Sequence, residues 1–151
     1  MKPTVEIVLS PLLLPLTDIK GKVVVIIDIL RATSTICAAL DNGAKSITPV
    51  ISVEEALSYQ SGSYLVAGER NGEKAEGFDF GNSPLEYSRE VIEGKDVVLT
   101  TTNGTKCIHA AKDADEILIG SFFNLSVLVD YLQASNKPVV LFCAGWKNQV
   151  N

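Results

Sequence analysis

The chain has 151 residues, 46% of them hydrophobic and 21% charged, with a formal net charge of −5. That length supports one ordinary domain with a real core, and that composition excludes a disordered chain. The acidic balance lacks the basic footprint of a nucleic-acid binder, and no stretch reaches the ~18–20 apolar residues of a membrane span. Cys37, Cys107 and Cys143 make neither a CxxC pair nor an even set, which suits free thiols in a reducing cytosol. The N-terminal apolar stretch is interrupted by Glu6, Pro11 and Pro15 and does not read as a signal peptide. The expectation is a single cytoplasmic domain over 1–151 that engages neither nucleic acid nor membrane.

In chain order, Val5–Leu9 reads as a short strand closed by the Pro11 and Pro15 region. Val23–Ile27 is a continuous β-branched run, the pattern of a strand buried on both faces. A helix over Thr33–Asp41 follows and ends at Asn42-Gly43. Ser46–Val50 is a strand that Pro49 cuts short or places at an edge, and Ser52-Val-Glu-Glu55 is a capping box opening a short helix. Tyr64–Ala67 is the next strand, and Gly68–Pro84 is the longest irregular stretch. Ser83 caps a helix with Pro84 at its first position. Strand Asp96–Leu99 feeds the Thr100–Thr105 loop and a helix over Lys106–Lys112. Strand Glu116–Ile119, helix Leu125–Gln133 and strand Val139–Phe142 complete the pattern. The alternation predicts an α/β fold, three-layer α/β/α around a mostly parallel or mixed sheet. Because the chain stops soon after Cys143-Ala-Gly145, it reads as the N-terminal part of a longer protein or as ending in a short tail. Either way, apolar surface and a homodimer contact are expected around Val139–Phe142 and Trp146.

Ligands of open α/β sheets bind beyond the carboxyl ends of the strands, where helix N-termini favour anions. Three strand ends meet that rule here. The first delivers Asp28, Arg31 and the Thr33-Ser34-Thr35 hydroxyls, the second Glu69-Arg70, and the third Thr100-Thr-Thr-Asn-Gly-Thr105. Phosphoryl transfer develops charge on equatorial oxygens, which arginine forks and N–H groups neutralise. The loop residues Thr101, Thr102, Asn103, Gly104 and Thr105 lack the glycine and GK[ST] order of a P-loop, and Thr102 or Asn103 also serves as an ordinary N-cap. Mg2+ prefers one or two carboxylates plus waters and phosphate, which points to Asp28 and Glu69, with Asp79 as a third candidate. His109, Cys37 and Cys107 fall inside helices and read as packing residues, whereas Cys143 ends a strand on the same edge and leaves a thiol-dependent hydrolase open. The residues alone therefore support an enzyme or a non-catalytic anion-binding module acting on a small anionic phosphorylated compound.

Haloacid-dehalogenase phosphatases place a second acid two residues after the strand-terminal Asp, but Leu30 stands there. Asp28-Ile-Leu-Arg-Ala-Thr-Ser-Thr-Ile36 instead resembles the DxLRATST signature of the 2-phosphosulfolactate phosphatases. Gly68-Glu-Arg-Asn-Gly72, Gly77-Phe-Asp-Phe-Gly-Asn-Ser-Pro84, Thr100–Thr105, Gly120-Ser-Phe122 with Asn124, and Cys143-Ala-Gly145 resemble further motifs of that family, in its order. The resemblance implies a Mg2+-dependent α/β phosphatase that removes phosphate from 2-phospho-3-sulfolactate on a route to coenzyme M. It implies a site at Asp28, Arg31, Glu69, Arg70, Asp79, Asn82, Thr101, Thr102, Asn103 and Thr105. Another small phosphorylated hydroxy acid stays open as substrate, and so does whether Asp28 attacks phosphorus or holds metal.

Overall fold

A computed structural model describes residues 4–150. The described strands are β1 (Val5–Val8), β2 (Val23–Ile27), β3 (Ser46–Pro49), β4 (Leu65–Arg70), β5 (Glu73–Lys74), β6 (Asp96–Thr100), β7 (Glu116–Gly120) and β8 (Val139–Cys143). The helices are α1 (Ala32–Asp41), α2 (Val53–Ser58), α3 (Arg89–Ile92), α4 (Gly104–Ala110) and α5 (Leu125–Ser135). The fold is α/β with mostly parallel strands, and these divide between two sheets rather than gathering into one. The first has the order β1-β8-β2-β7 and is parallel throughout. The second has the order β3-β6-β4-β5, with only β5 antiparallel.

The β-branched run Val23–Ile26 is fully buried because β2 lies inside the first sheet, with Val25 opposite Leu118 of β7 and Leu141 of β8. One face of that sheet (Val8, Val24, Ile26, Val140 and Phe142) packs on Cys107 and Ala111 at α4. Ile36 and Ala39 of α1 pack instead on the second sheet through Ala67, Val97 and Leu99. Ile108 and Ile119 touch both clusters, so α4 and β7 tie the sheets together. Pro49 ends β3, which is the edge strand of its sheet, as its missing N–H requires. Gly43, at φ 94°, follows α1, and Ser52 Oγ accepts the Glu55 N–H at 3.0 Å. The return bond of that cap runs to the Ile51 N–H rather than to Ser52.

Three readings of the sequence are corrected. Strand β4 runs on through Glu69 and Arg70 instead of stopping at Ala67. The stretch read as irregular then begins with a hairpin, β5 pairing Glu69 with Lys74 and Arg70 with Glu73. Its turn residues Asn71 and Gly72 have φ of 54° and 90°, the left-handed pair a type I′ turn demands of Asn-Gly. Ser83 makes no capping bond, and Pro84–Glu86 form a single 3-10 turn before α3.

The other face of the first sheet is sparsely covered. α5 lies along it with no residue fully buried, and an apolar groove of about 440 Å3 runs between Leu128 and Leu132 of α5 and Val5, Val25 and Leu141 of the sheet. Phe122 and Val127 nearby are 73% and 74% exposed. No helix among the described residues is long and apolar enough to cross a membrane.

Candidate active site

The site begins where β2 runs out. Asp28 donates its N–H to Thr33 Oγ1 at 3.0 Å, and its carbonyl accepts the Thr33 N–H at 3.0 Å. Ser34 Oγ donates to the Ile29 carbonyl at 2.8 Å. These two hydroxyls, read from sequence as phosphate ligands, thus shape the 28–31 loop, because short hydroxyl side chains readily bond nearby backbone. Thr35 Oγ1 donates to the Asn82 carbonyl at 3.0 Å, which draws the Asn82 segment to α1. Asn82 is buried and its Oδ1 has no hydrogen-bond partner, a costly state for a buried acceptor.

No side chain hydrogen-bonds the Asp28 carboxylate among the described residues. Burial pushes this carboxyl above its ordinary value, and the Glu69 charge pushes the same way, while N–H groups of Ala32, Gly104 and Arg31 oppose them. Gly104 permits the approach. A Cβ built there stands 2.5 Å from Ala32 Cβ and 2.8 Å from Asp28 Oδ2. Gly104→Ala should therefore force α1 and α4 apart at the carboxylate. The expected cost is about 1–3 kcal/mol of stability and about a tenfold or larger loss of turnover, read by urea unfolding and by initial rates on the folded protein. An alanine variant with wild-type rates would show that Asp28 tolerates displacement.

Beyond β6, Thr101 and Thr105 close on each other. Thr105 N–H donates to Thr101 Oγ1 and Thr101 N–H to Thr105 Oγ1, both at 3.1 Å. Those hydroxyls, rather than Thr102 or Asn103, organise the start of α4. Asn103 occupies the cap position without a side-chain capping bond, and its Oδ1 accepts the Lys147 N–H at 3.1 Å. Sequence reasoning did not find the contribution of Lys147, because a backbone amide carries no residue signature.

From β4, the buried Glu69 carboxylate accepts the Thr102 N–H at 2.6 Å, the Gly72 N–H at 2.6 Å and the Thr102 hydroxyl at 3.0 Å. Arg70 donates to the carbonyls of Glu69 (2.7 Å) and Ile51 (2.9 Å) and to Thr100 Oγ1 (2.8 Å). Arg31 Nη2 reaches the Gly72 carbonyl at 3.2 Å. Asp79 is not part of this cluster. Its Oδ2 accepts the Val66 N–H at 2.8 Å near the start of β4, so its carboxylate serves the sheet. Cys143 is half-buried and its thiol is pushed up by burial; nothing electropositive offsets that, so the setting is not that of a reactive thiolate. Cys107 is pushed to about 12 by burial and by the Asp28 charge.

Among the described residues no ion pair joins the charges at the centre. The ion pairs among the described residues join Lys22 to Glu6, Lys45 to Asp96, Arg89 to Glu93 and Lys137 to Asp115. None involves Asp28, Glu69, Arg31 or Arg70. A carboxylate without a counter-cation, beside a second acid, is the kind of oxygen donor that fits a hard divalent ion such as Mg2+, which takes as few as one protein carboxylate. The Asp28 carboxylate meets only backbone N–H groups, those of Ala32, Gly104 and Arg31, whereas that of Glu69 accepts two N–H groups and a hydroxyl. No three His, Cys, Asp or Glu side chains gather among the described residues, and Mg2+ does not require that many.

The family model described as 2-phosphosulpholactate phosphatase matches residues 8–151. Curated relatives named "probable 2-phosphosulfolactate phosphatase" include one from Thermotoga petrophila, 50% identical over 131 residues, covering 87% of this chain and 57% of the relative. The relative from Caldanaerobacter subterraneus is 48% identical over 132 residues (85% and 55%). That from Clostridium perfringens is 42% identical over 147 residues (93% and 60%). The chain thus spans between half and two thirds of the length of these proteins. A family match of nearly the whole chain, together with an Asp-to-Arg loop facing the Thr-Asn-Gly turn, leads to one conclusion: the chain belongs to the 2-phosphosulfolactate phosphatase family.

Proposed function

We propose that this chain carries the active centre of a Mg2+-dependent phosphomonoesterase acting on 2-phospho-3-sulfolactate, of the coenzyme M biosynthesis type. The observation that carries the reading is the Asp28 carboxylate: half-buried, without a side-chain partner, and in the field of a second, buried acid at Glu69. Mg2+ held by Asp28 would neutralise that pair and polarise the phosphoryl group. The like-charge neighbour favours Asp28 as metal ligand, with water as the attacking group, over Asp28 as nucleophile.

The residues divide the remaining work. Arg31 and Arg70 supply the positive charge that meets the phosphate and the substrate's other anions. The Thr101–Thr105 turn and the buried Asn82 amide shape the rim of the same site. Water forms a new P–O bond as the ester P–O bond breaks, and the departing oxygen takes a proton to give 3-sulfolactate and inorganic phosphate. The free thiols suit a reducing cytosol. A homodimer would use the exposed α5 face.

The test is phosphate release from 2-phosphosulfolactate with Mg2+ and after chelation. Release that falls at least about a hundredfold on chelation and returns with Mg2+ is expected, because the metal stabilises transition-state charge by several kcal/mol. Equal release in chelator would sink the metal. Release only from other phosphorylated hydroxy acids would sink the named substrate.

A further inference from the structure

The oxygens of Glu69 are spent on two separate loops. Thr102 of the β6–α4 loop gives it an N–H and a hydroxyl, and Gly72 of the β4–β5 turn gives it an N–H. The Thr102 hydroxyl also accepts the Asn71 N–H at 3.1 Å, so turn and loop are laced together at the carboxylate. The outer side of the same turn is used as well, since the Gly72 carbonyl accepts from Arg31 Nη2. We infer that Glu69 is a positioning residue rather than a metal ligand: it locks the Asn71–Gly72 turn to the Thr102 loop and, through the Gly72 backbone, sets where the Arg31 guanidinium stands. The consequence for turnover rests on the phosphatase reading; the clamp itself does not.

The chemistry favours this role. An ionised carboxylate has about four acceptor positions, and three are filled here by donors, two of them short and charge-assisted. A cation bound to the same oxygens would face those N–H and O–H dipoles positive end first. The side chain is also matched in length and kind. Gln at position 69 would aim an NH2 group at one N–H donor, and Asp would fall a methylene short of bridging both loops.

Glu69→Gln, measured three ways, tests the inference. Amide exchange at Gly72 and Thr102 should accelerate at least about tenfold, a readout independent of any activity. The Mg2+ activation constant should stay within about threefold while kcat/KM falls about 10–100-fold. In an Arg31→Lys background the same change should cost much less, because residues acting through one another are non-additive. A Mg2+ activation constant raised thirtyfold or more with unchanged amide exchange would make Glu69 a ligand and overturn the proposal. Additive losses with Arg31→Lys, or full turnover in a merely less stable protein, would reduce it to a fold-stabilising residue and overturn it too. Should the unaltered chain release no phosphate, the activity reading fails alone, and the exchange data still decide the clamp.

Discussion

Asp28→Asn is expected to lower phosphate release by about 10^3-fold or more, equivalent to about 4 kcal/mol of transition-state stabilisation, while leaving the fold intact. The change keeps volume and planarity, and no side chain among the described residues loses a hydrogen bond. It removes the charge that would hold Mg2+. Stability should respond in the opposite sense to activity. Burial raises the Asp28 carboxyl in the folded state above its ordinary value, so the native state binds more protons than the unfolded one across the window between the two. In that window stability falls as pH rises, and at neutral pH the ionised Asp28 weakens the native state. The neutral amide removes that penalty, so the unfolding midpoint of the Asp28→Asn protein at pH 7 should equal or exceed that of the original. Urea unfolding at pH 7 alongside initial rates checks both halves. Retained turnover, or a marked loss of stability, would show that Asp28 serves the fold instead of the chemistry.

Gly68→Ala is expected to destabilise the protein by about 3 kcal/mol or more, among the larger effects a single substitution produces. Gly68 lies opposite Thr100 in the β4–β6 register at φ +141°, and a Cβ there would sit 1.9 Å from the Thr100 carbonyl oxygen and 2.9 Å from its carbon. The obstacle is backbone of a paired strand, so no rotamer change relieves it. The next residues on β4 are Glu69 and Arg70, and Arg70 donates to Thr100 Oγ1, so prising β4 from β6 also disperses the site. A shift of the urea midpoint with unchanged slope is the expected record. A variant within about 0.5 kcal/mol of the original would mean that the two strands separate at little cost.

Gly68 also shows why the second half of the site was hard to read. Glycine in a strand pattern is also the mark of a bulge or a close backbone approach, yet the Gly-rich composition from Gly68 onward reads as an irregular stretch, with Tyr64–Ala67 as the whole strand and Glu69 and Arg70 beyond it. Its actual role is to admit Thr100. The Asn71-Gly72 hairpin signal was there to be read, but the glycines around it made the whole stretch look irregular. β2 and α1, by contrast, announced themselves, because a β-branched run and helical spacing are local properties. The partition of the described strands between two sheets is not local; it depends on pairings such as β1 with β8 that periodicity does not encode. The same limit explains Thr33, Ser34 and Asp79. Residue type showed groups able to bind an anion or a metal, but not that nearby backbone N–H and C=O groups had claimed them.

The sparsely covered face of the first sheet governs how this chain behaves in handling. With Phe122, Val127 and Val5 bared beside an apolar groove, a properly folded preparation already offers the surface to which apolar fluorescent dyes bind. Dye fluorescence, ordinarily taken as the mark of loosened packing, would therefore report a native property here. Salts such as sulfate, which sharpen the exclusion of apolar surface from water, would draw molecules together through this face without unfolding any of them.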